Sequence, residues 1–173
     1  LSVLRATIRN SSADFTGGGI AAAGNSLLNV ANSTFQDNFA VSGGAIVSYS
    51  VANISDSSFE FNTANDATGA TSAVGGAVAS FFGNLTVSRS FFGGNAADFG
   101  GAVYKENAEL NLLGSRFFDN SASSGGAVYL ESLSSPGEIE NSRFEENTAS
   151  FFGGAISAIN AIEVYGSLFQ ENQ

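Results

Sequence analysis

The chain has 173 residues and a formal net charge of −10, from sixteen acidic residues against six lysines and arginines. With no cysteine and no histidine, disulfides, zinc–thiolate sites, cysteine nucleophiles and histidine-dependent triads are excluded. The acidic balance argues against nucleic acid and anionic membrane surfaces as partners, since both need a basic footprint. Glycine (21) and phenylalanine (16) are abundant, and only 13% of residues are charged, which suits short strands and tight turns better than helices.

The chain opens on Leu1-Ser2-Val3-Leu4 already inside a repeating pattern. No secretory leader is visible and no apolar run approaches the ~20 residues of a membrane span. We read residues 1–173 as one segment, a mature product or a fragment of a longer solenoid. The first register is degenerate, with Ile8 and Ser11 where later ones carry Phe and Asn, followed by Gly17-Gly18 and Ile20. The second reads Phe35, Asn38, Gly43-Gly44-Ala45-Ile46, and the third Phe59, Asn62, Gly75-Gly76-Ala77-Val78. Phe92, Asn95, Gly100-Gly101-Ala102-Val103 form the fourth, and Phe117, Asn120, Gly125-Gly126-Ala127-Val128 the fifth. Phe144, Asn147, Gly153-Gly154-Ala155-Ile156 complete the sixth, and Phe169 and Asn172 begin a seventh.

Successive Phe positions are separated by 24, 33, 25, 27 and 25 residues, a period near 25 with one insertion. Five residues before each Phe stands Val30, Ile54, Val87, Leu112, Ile139 or Val164, and two residues before each Phe is always a serine. Spacings of two imply strands, and the separation of five breaks their parity, so a bend lies between. Each period then holds three short strands, which must pair with equivalent strands one period away. The architecture predicted is an all-β, right-handed parallel β-helix of about seven coils of ~25 residues, advancing ~4.8 Å per coil. The Phe residues become an interior ring stack and the Asn residues a ladder of turn amides, each able to donate and accept. The Gly-Gly pairs mark sharp turns, and Ala45, Ala77, Ala102, Ala127 and Ala155 are expected to face outward. The long interval from Asn62 to Gly75 predicts a protruding loop at about 65–72.

The Gly-Gly-Ala-[Ile/Val] and Phe-x-x-Asn units, in phase along essentially the whole chain, closely resemble the repeats of chlamydial-type polymorphic outer membrane proteins, autotransporter passengers. Similar repeats occur in other microbial and algal surface proteins. The resemblance implies a surface-exposed β-helix acting in adhesion. The chain departs from that family in showing no β-barrel translocator, signal peptide or cap.

β-Helix proteins also include polysaccharide lyases and hydrolases, so outward carboxylates matter. Glu138 and Glu163 occupy equivalent positions on adjacent coils with Glu140 nearby, a pair whose ~5 Å spacing would suit retaining hydrolysis. Preceding coils put Asn29, Asn53, Thr86 and Asn111 there, so a polar solvent-facing row is the favoured reading. Arg116 and Arg143 stack just before the core Phe and are expected to pair with neighbours such as Glu145. No metal site and no cofactor is expected; a glycine–aspartate calcium nonapeptide is absent. Of the phenylalanines outside the ladder, Phe15, Phe99 and Phe152 are expected to form secondary stacks. Phe81, Phe82 and Phe151 are candidates for a partner contact. Asn10, Asn32, Asn53 and Asn84 head Asn-x-Ser/Thr glycosylation acceptors. The expected function is non-catalytic: adhesion or display at a cell surface, with protein, glycan or neighbouring solenoids as partners. A filament subunit is the alternative, and a polysaccharide-active enzyme the third reading.

Overall fold

A computed structural model describes residues 1–24 and 27–173. The described residues form a parallel solenoid with no α-helix. Two seven-stranded sheets and one six-stranded sheet run along it, so six complete coils are followed by the start of a seventh. The first sheet stacks strands such as Leu85–Ser88 and Leu110–Leu113, the second Phe91–Gly93 and Arg116–Phe118, and the third Val78–Ser80 and Val103–Glu106. Every strand pairs in parallel with its equivalent one coil away. Two further short pairs, Phe39–Ala40 with Thr63–Ala64 and Ser121–Ser124 with Thr148–Phe152, add a fourth strand to some coils.

The interior follows from the repeat. Phe35, Phe59, Phe92, Phe117 and Phe144 are fully buried, and their rings stack at 4.8, 4.8, 4.9 and 4.8 Å with planes within 8°. Phe169 continues the stack at 4.7 Å and is 43% exposed, its outer face uncovered by the described residues. Val30, Ile54, Val87, Leu112 and Ile139 fill the space beside the rings.

Two polar ladders run beside this core. The side chains of Asn62, Asn95, Asn120 and Asn147 are saturated: Asn95 Nδ2 donates to Asn120 Oδ1 (2.9 Å) and to Phe59 O (2.9 Å), and its Oδ1 accepts from Asn62 N and Nδ2, both at 3.0 Å. The Asn-to-Asn bonds run from Asn38 to Asn172. The serine before each ring forms a second ladder, in which Ser57 N donates to Ser90 Oγ (3.2 Å) and Ser90 N to Ser115 Oγ (3.2 Å). The constant spacing of those serines thus has a mechanical cause, two turns satisfying their amides coil to coil.

The bend between aliphatic and ring is a single left-handed residue, filled by Asn32 (φ 50°), Asp56 (φ 49°), Arg89 (φ 45°) or Gly114 (φ 56°) in successive coils. The first glycine of each pair makes another such corner, as at Gly100 (φ 65°). The second glycine is required by close approach: a Cβ on Gly101 would lie 2.2 Å from Gly126 O.

One expectation is reversed. Ala45, Ala77, Ala102 and Ala127 are fully buried and Ala155 nearly so, in the core cluster rather than outside. Both Ala77 N and Val78 N donate to Ala102 O, so the backbone bends at the alanine and two successive side chains face inward. Simple alternation therefore begins one residue later than the motif suggests. Residues 65–72 stand out from the coil and are solvent-exposed apart from Asp66. The Asp66 carboxylate staples that loop, accepting from Thr68 N and Oγ1 on one oxygen and Thr71 N and Oγ1 on the other, at 2.6–2.9 Å. These bonds hold the Asp66 carboxyl well below the usual carboxylate range.

Candidate binding face

After each Gly-Gly turn the third sheet sets one residue outward per coil, in the row Val47, Ala79, Tyr104, Tyr129. Aliphatic and small residues give way there to aromatic ones, and flanking strands and turns add Tyr49, Val74, Phe81 and Phe99. The rings make a continuous band over the outer side of the third sheet, in which Val47, Ala79 and Tyr104 are buried and Tyr49, Phe81, Phe99 and Tyr129 are half-buried. Tyr49 stacks on Phe81 at 5.1 Å, Phe81 meets Tyr104 at 5.7 Å, Tyr104 lies parallel to Tyr129 at 5.8 Å, and Phe99 meets Tyr129 edge-on at 5.0 Å. Acids edge the band: the Tyr104 hydroxyl donates to Glu131 Oε2 at 2.7 Å. Burial first, then the Glu131 and Glu106 carboxylates, push the Tyr104 phenol far above its ordinary value, so it remains a donor.

Of the residues singled out for partner contact, Phe81 is half-buried within this band. Phe82, at its edge and 64% exposed, lies 6.3 Å from Tyr49 beside a hollow of about 420 Å³ lined also by Leu27, Val51 and Gly83. Phe151 belongs to a different face, on Thr148–Phe152, and is 75% exposed. The expected secondary stacks are found for Phe99 alone. Phe152 is exposed because its register partner one coil below is Ser124, which offers no ring, and Phe15 is exposed while its carbonyl accepts from Val41 N and Ser42 N.

Glu138 and Glu163 are register partners on adjacent coils of the first sheet, as Glu140 and Tyr165 are. They border a hollow of about 330 Å³ with Glu109, Asn111, Ser135 and Pro136, a lining without arginine or lysine. Glu163 Oε2 accepts from the Tyr165 hydroxyl at 2.8 Å. Arg116 Nε donates to Glu145 Oε2 at 2.6 Å across one coil, and Arg143 makes no ion pair among the described residues. No cluster able to hold a metal ion occurs among the described residues. The four glycosylation acceptors Asn10, Asn32, Asn53 and Asn84 are all exposed; Asn53 Nδ2 donates to Asn29 Oδ1 and Asn84 Nδ2 to Glu109 Oε2.

Sequence reasoning missed Lys105, the chain's one lysine. It stands in the inward row after Ser48 and Ser80, fully buried, where the next coil has Leu130. Its ammonium donates to the carbonyls of Phe81 (3.3 Å), Glu106 (2.8 Å) and Asn107, capping the turn where Asn107 and Ala108 are left-handed. Desolvation lowers its pKa to about 8 against the opposing pull of Glu106. Nothing in the repeat marks the residue, since a charged side chain in that row looks like surface.

Among the described residues no helix is long and apolar enough to cross a membrane. The model of one protein family, described as right handed beta helix region, matches residues 18–173. No curated protein and no solved structure matches the chain.

Proposed function

We propose that this chain, which belongs to the right-handed β-helix family, is a non-catalytic binding rod that holds a partner at a cell surface, in adhesion or display. The observation that carries the reading is the band of rings outside the third sheet, ending in the exposed Phe82. A solenoid needs no aromatic residues on its outer faces, because its interior Phe stack already supplies the core. Flat rings that present both an apolar face and, for tyrosine, a polar tip suit a protein or glycan surface. A catalytic reading has less support, because the paired glutamates Glu138 and Glu163 share their hollow with no cationic side chain. The exposed Phe15, Phe151 and Phe152 favour lateral packing of rods as a second reading, a filament or appendage subunit.

The test is binding of the chain to a glycan array and to intact cells, alongside Phe82→Ser. Saturable binding weakened at least tenfold by that substitution supports the reading. Absence of binding together with regular lateral polymers under the electron microscope replaces it with the filament.

A further inference from the structure

The outer face of the second sheet carries a notch that the repeat does not require. Strand Phe91–Gly93 lies between Ser58–Glu60 and Arg116–Phe118, with Gly93 level with Glu60 on one side and Phe118 on the other. The next residue, Gly94, takes the left-handed corner (φ 64°) that Phe61 (φ 54°) and Asp119 (φ 54°) take in the adjoining coils. Two successive side chains are thus missing, and neighbouring rings lean over the glycines: a Cβ on Gly93 would lie 2.6 Å from Phe91 Cζ and one on Gly94 2.6 Å from Phe61 Cδ1. The slot left there measures about 170 Å³. It lies among Phe61, Phe91 and Phe118, one ring from each of three successive coils, with Gly93 and Gly94 letting the Phe91 and Phe61 rings lie close to the backbone. Phe61 is 56% exposed. Glu60 and Asp119 stand at its rim.

We propose that this slot binds a quaternary ammonium group. Ring faces carry negative potential and attract cations, most strongly where several rings converge. The protein already uses these rings in that way, because the Arg116 guanidinium lies 4.8 Å from the Phe118 centroid and 5.8 Å from that of Phe91. The Arg116 guanidinium on two of these rings is held by Glu145 Oε2 at 2.6 Å, no arginine or lysine lines the slot itself, its rim is acidic and the chain is strongly anionic, so the charge favours a cationic ligand. The walls offer rings rather than hydrogen-bond acceptors. A primary ammonium or a guanidinium would leave N–H groups facing carbon, whereas N-methyl groups need no acceptor. The size fits a head group, below the roughly 300 Å³ at which sites for drug-sized ligands begin. The rim has a free carboxylate to offer: Ser58 Oγ occupies only Glu60 Oε1, at 2.6 Å.

The test is an amide NMR titration of the whole chain with choline, following Gly93 and Gly94, against 3,3-dimethylbutanol as the neutral isostere. Choline is expected to shift both amides saturably, at least about tenfold more tightly than the isostere, and more weakly as salt is raised. Phe61→Ser, an exposed position, and Gly93→Glu, which copies Glu60 of the preceding coil into the slot, are each expected to weaken binding about tenfold. Phe82→Ser on the other face is expected to leave it unchanged. Phosphocholine vesicles and a peptide bearing trimethyllysine then separate a lipid source from a protein one. No saturable shift with choline, equal binding of the isostere, or unaltered binding by both slot variants overturns the proposal.

Discussion

Asn120→Leu tests the rung on which coil stacking depends. Asn120 Nδ2 donates to Phe92 O at 3.0 Å and to Asn147 Oδ1 at 2.9 Å, while its Oδ1 accepts from Asn95 N at 3.0 Å and from Asn95 Nδ2 at 2.9 Å. Leucine keeps the side-chain length and removes all four bonds. Asn147 Oδ1 retains the Asn120 backbone N–H at 3.1 Å and Phe92 C=O keeps its ladder bond with strand Arg116–Phe118, so two groups lose their partner: Asn95 N–H and one Asn95 Nδ2–H. Both lie where Asn95 and Asn120 are completely buried, beyond the reach of replacement water. At roughly 1–3 kcal/mol for each orphaned buried group, the expected loss is about 2–6 kcal/mol, a large part of the ~5–15 kcal/mol that holds a typical domain. That corresponds to a melting point lower by roughly 5 °C or more. Circular dichroism melts and urea titrations measure it, and hydrogen exchange at the Asn95 amide locates it. Asn120→Asp sharpens the test. The new carboxylate oxygen would face the Phe92 and Asn147 oxygens that Nδ2 now binds, so the variant is unstable at pH 7. Its native pKa is raised above the unfolded value, and stability returns as pH falls and the acid gains a proton to donate. If Asn120→Leu unfolds within about 0.5 kcal/mol of the parent, the ladder carries no appreciable energy and the reasoning fails.

Gly76→Ala would place a Cβ 2.1 Å from Gly101 O and 2.5 Å from Ala96 O, so it is expected to lower the urea midpoint sharply, whereas Gly69→Ala, with open space around it in the loop, is expected to lower it far less. Lys105 releases its proton near pH 8 in the fold and near 10.4 in the unfolded chain, so the unfolded state holds more protons in that window. Unfolding free energy therefore gains up to roughly 3 kcal/mol from this group as pH rises from 8 to 10.4, and Lys105→Met is expected to remove that part of the slope in urea titrations run across the window. Asp66→Ala removes four bonds from the loop at residues 65–72 and is expected to make it the first site of limited proteolysis, with the melting point little changed.

The core was readable because its residues have no freedom to differ. Phe92 must stack on Phe59 and Phe117, and Asn95 must complete the hydrogen bonds of Asn62 and Asn120, so each position returns as the same letter. The corner at Asn32, Asp56, Arg89 and Gly114 is as constant in geometry yet invisible in sequence. A left-handed residue costs about 1 kcal/mol, which the ladders on either side offset, so many side chains are tolerated there. The alanines misled because parity was counted from the motif, whereas the doubled hydrogen bond to Ala102 O resets it. The outer aromatic band was legible only as Phe81, Phe82 and Phe99. Tyr104 and Tyr129 share one register position in adjacent coils, whereas Tyr49 stands at another and reaches them only through Phe81, a meeting that shows once the register is known.

Phe91-Phe92-Gly93-Gly94-Asn95 shows how the fold and the outer surface are kept apart within five residues. Phe92 and Asn95 are fully buried and occupy their rungs without deviation. Phe91, Gly93 and Gly94 lie between and beside them, facing outward or turning the corner, and each differs from its counterpart in the preceding coil, Ser58, Glu60 and Phe61. A coil in a solenoid touches only its neighbours, and it touches them through the ladder. Outward positions can therefore change without altering the register of the rod. Departures from the repeat include the stretch from the loop at 65–72 through Phe81 and Phe82 to Gly93 and Gly94. The aromatic band and the slot sit on different sheets, so a substitution in one leaves the rings of the other in place, and each can be tested alone.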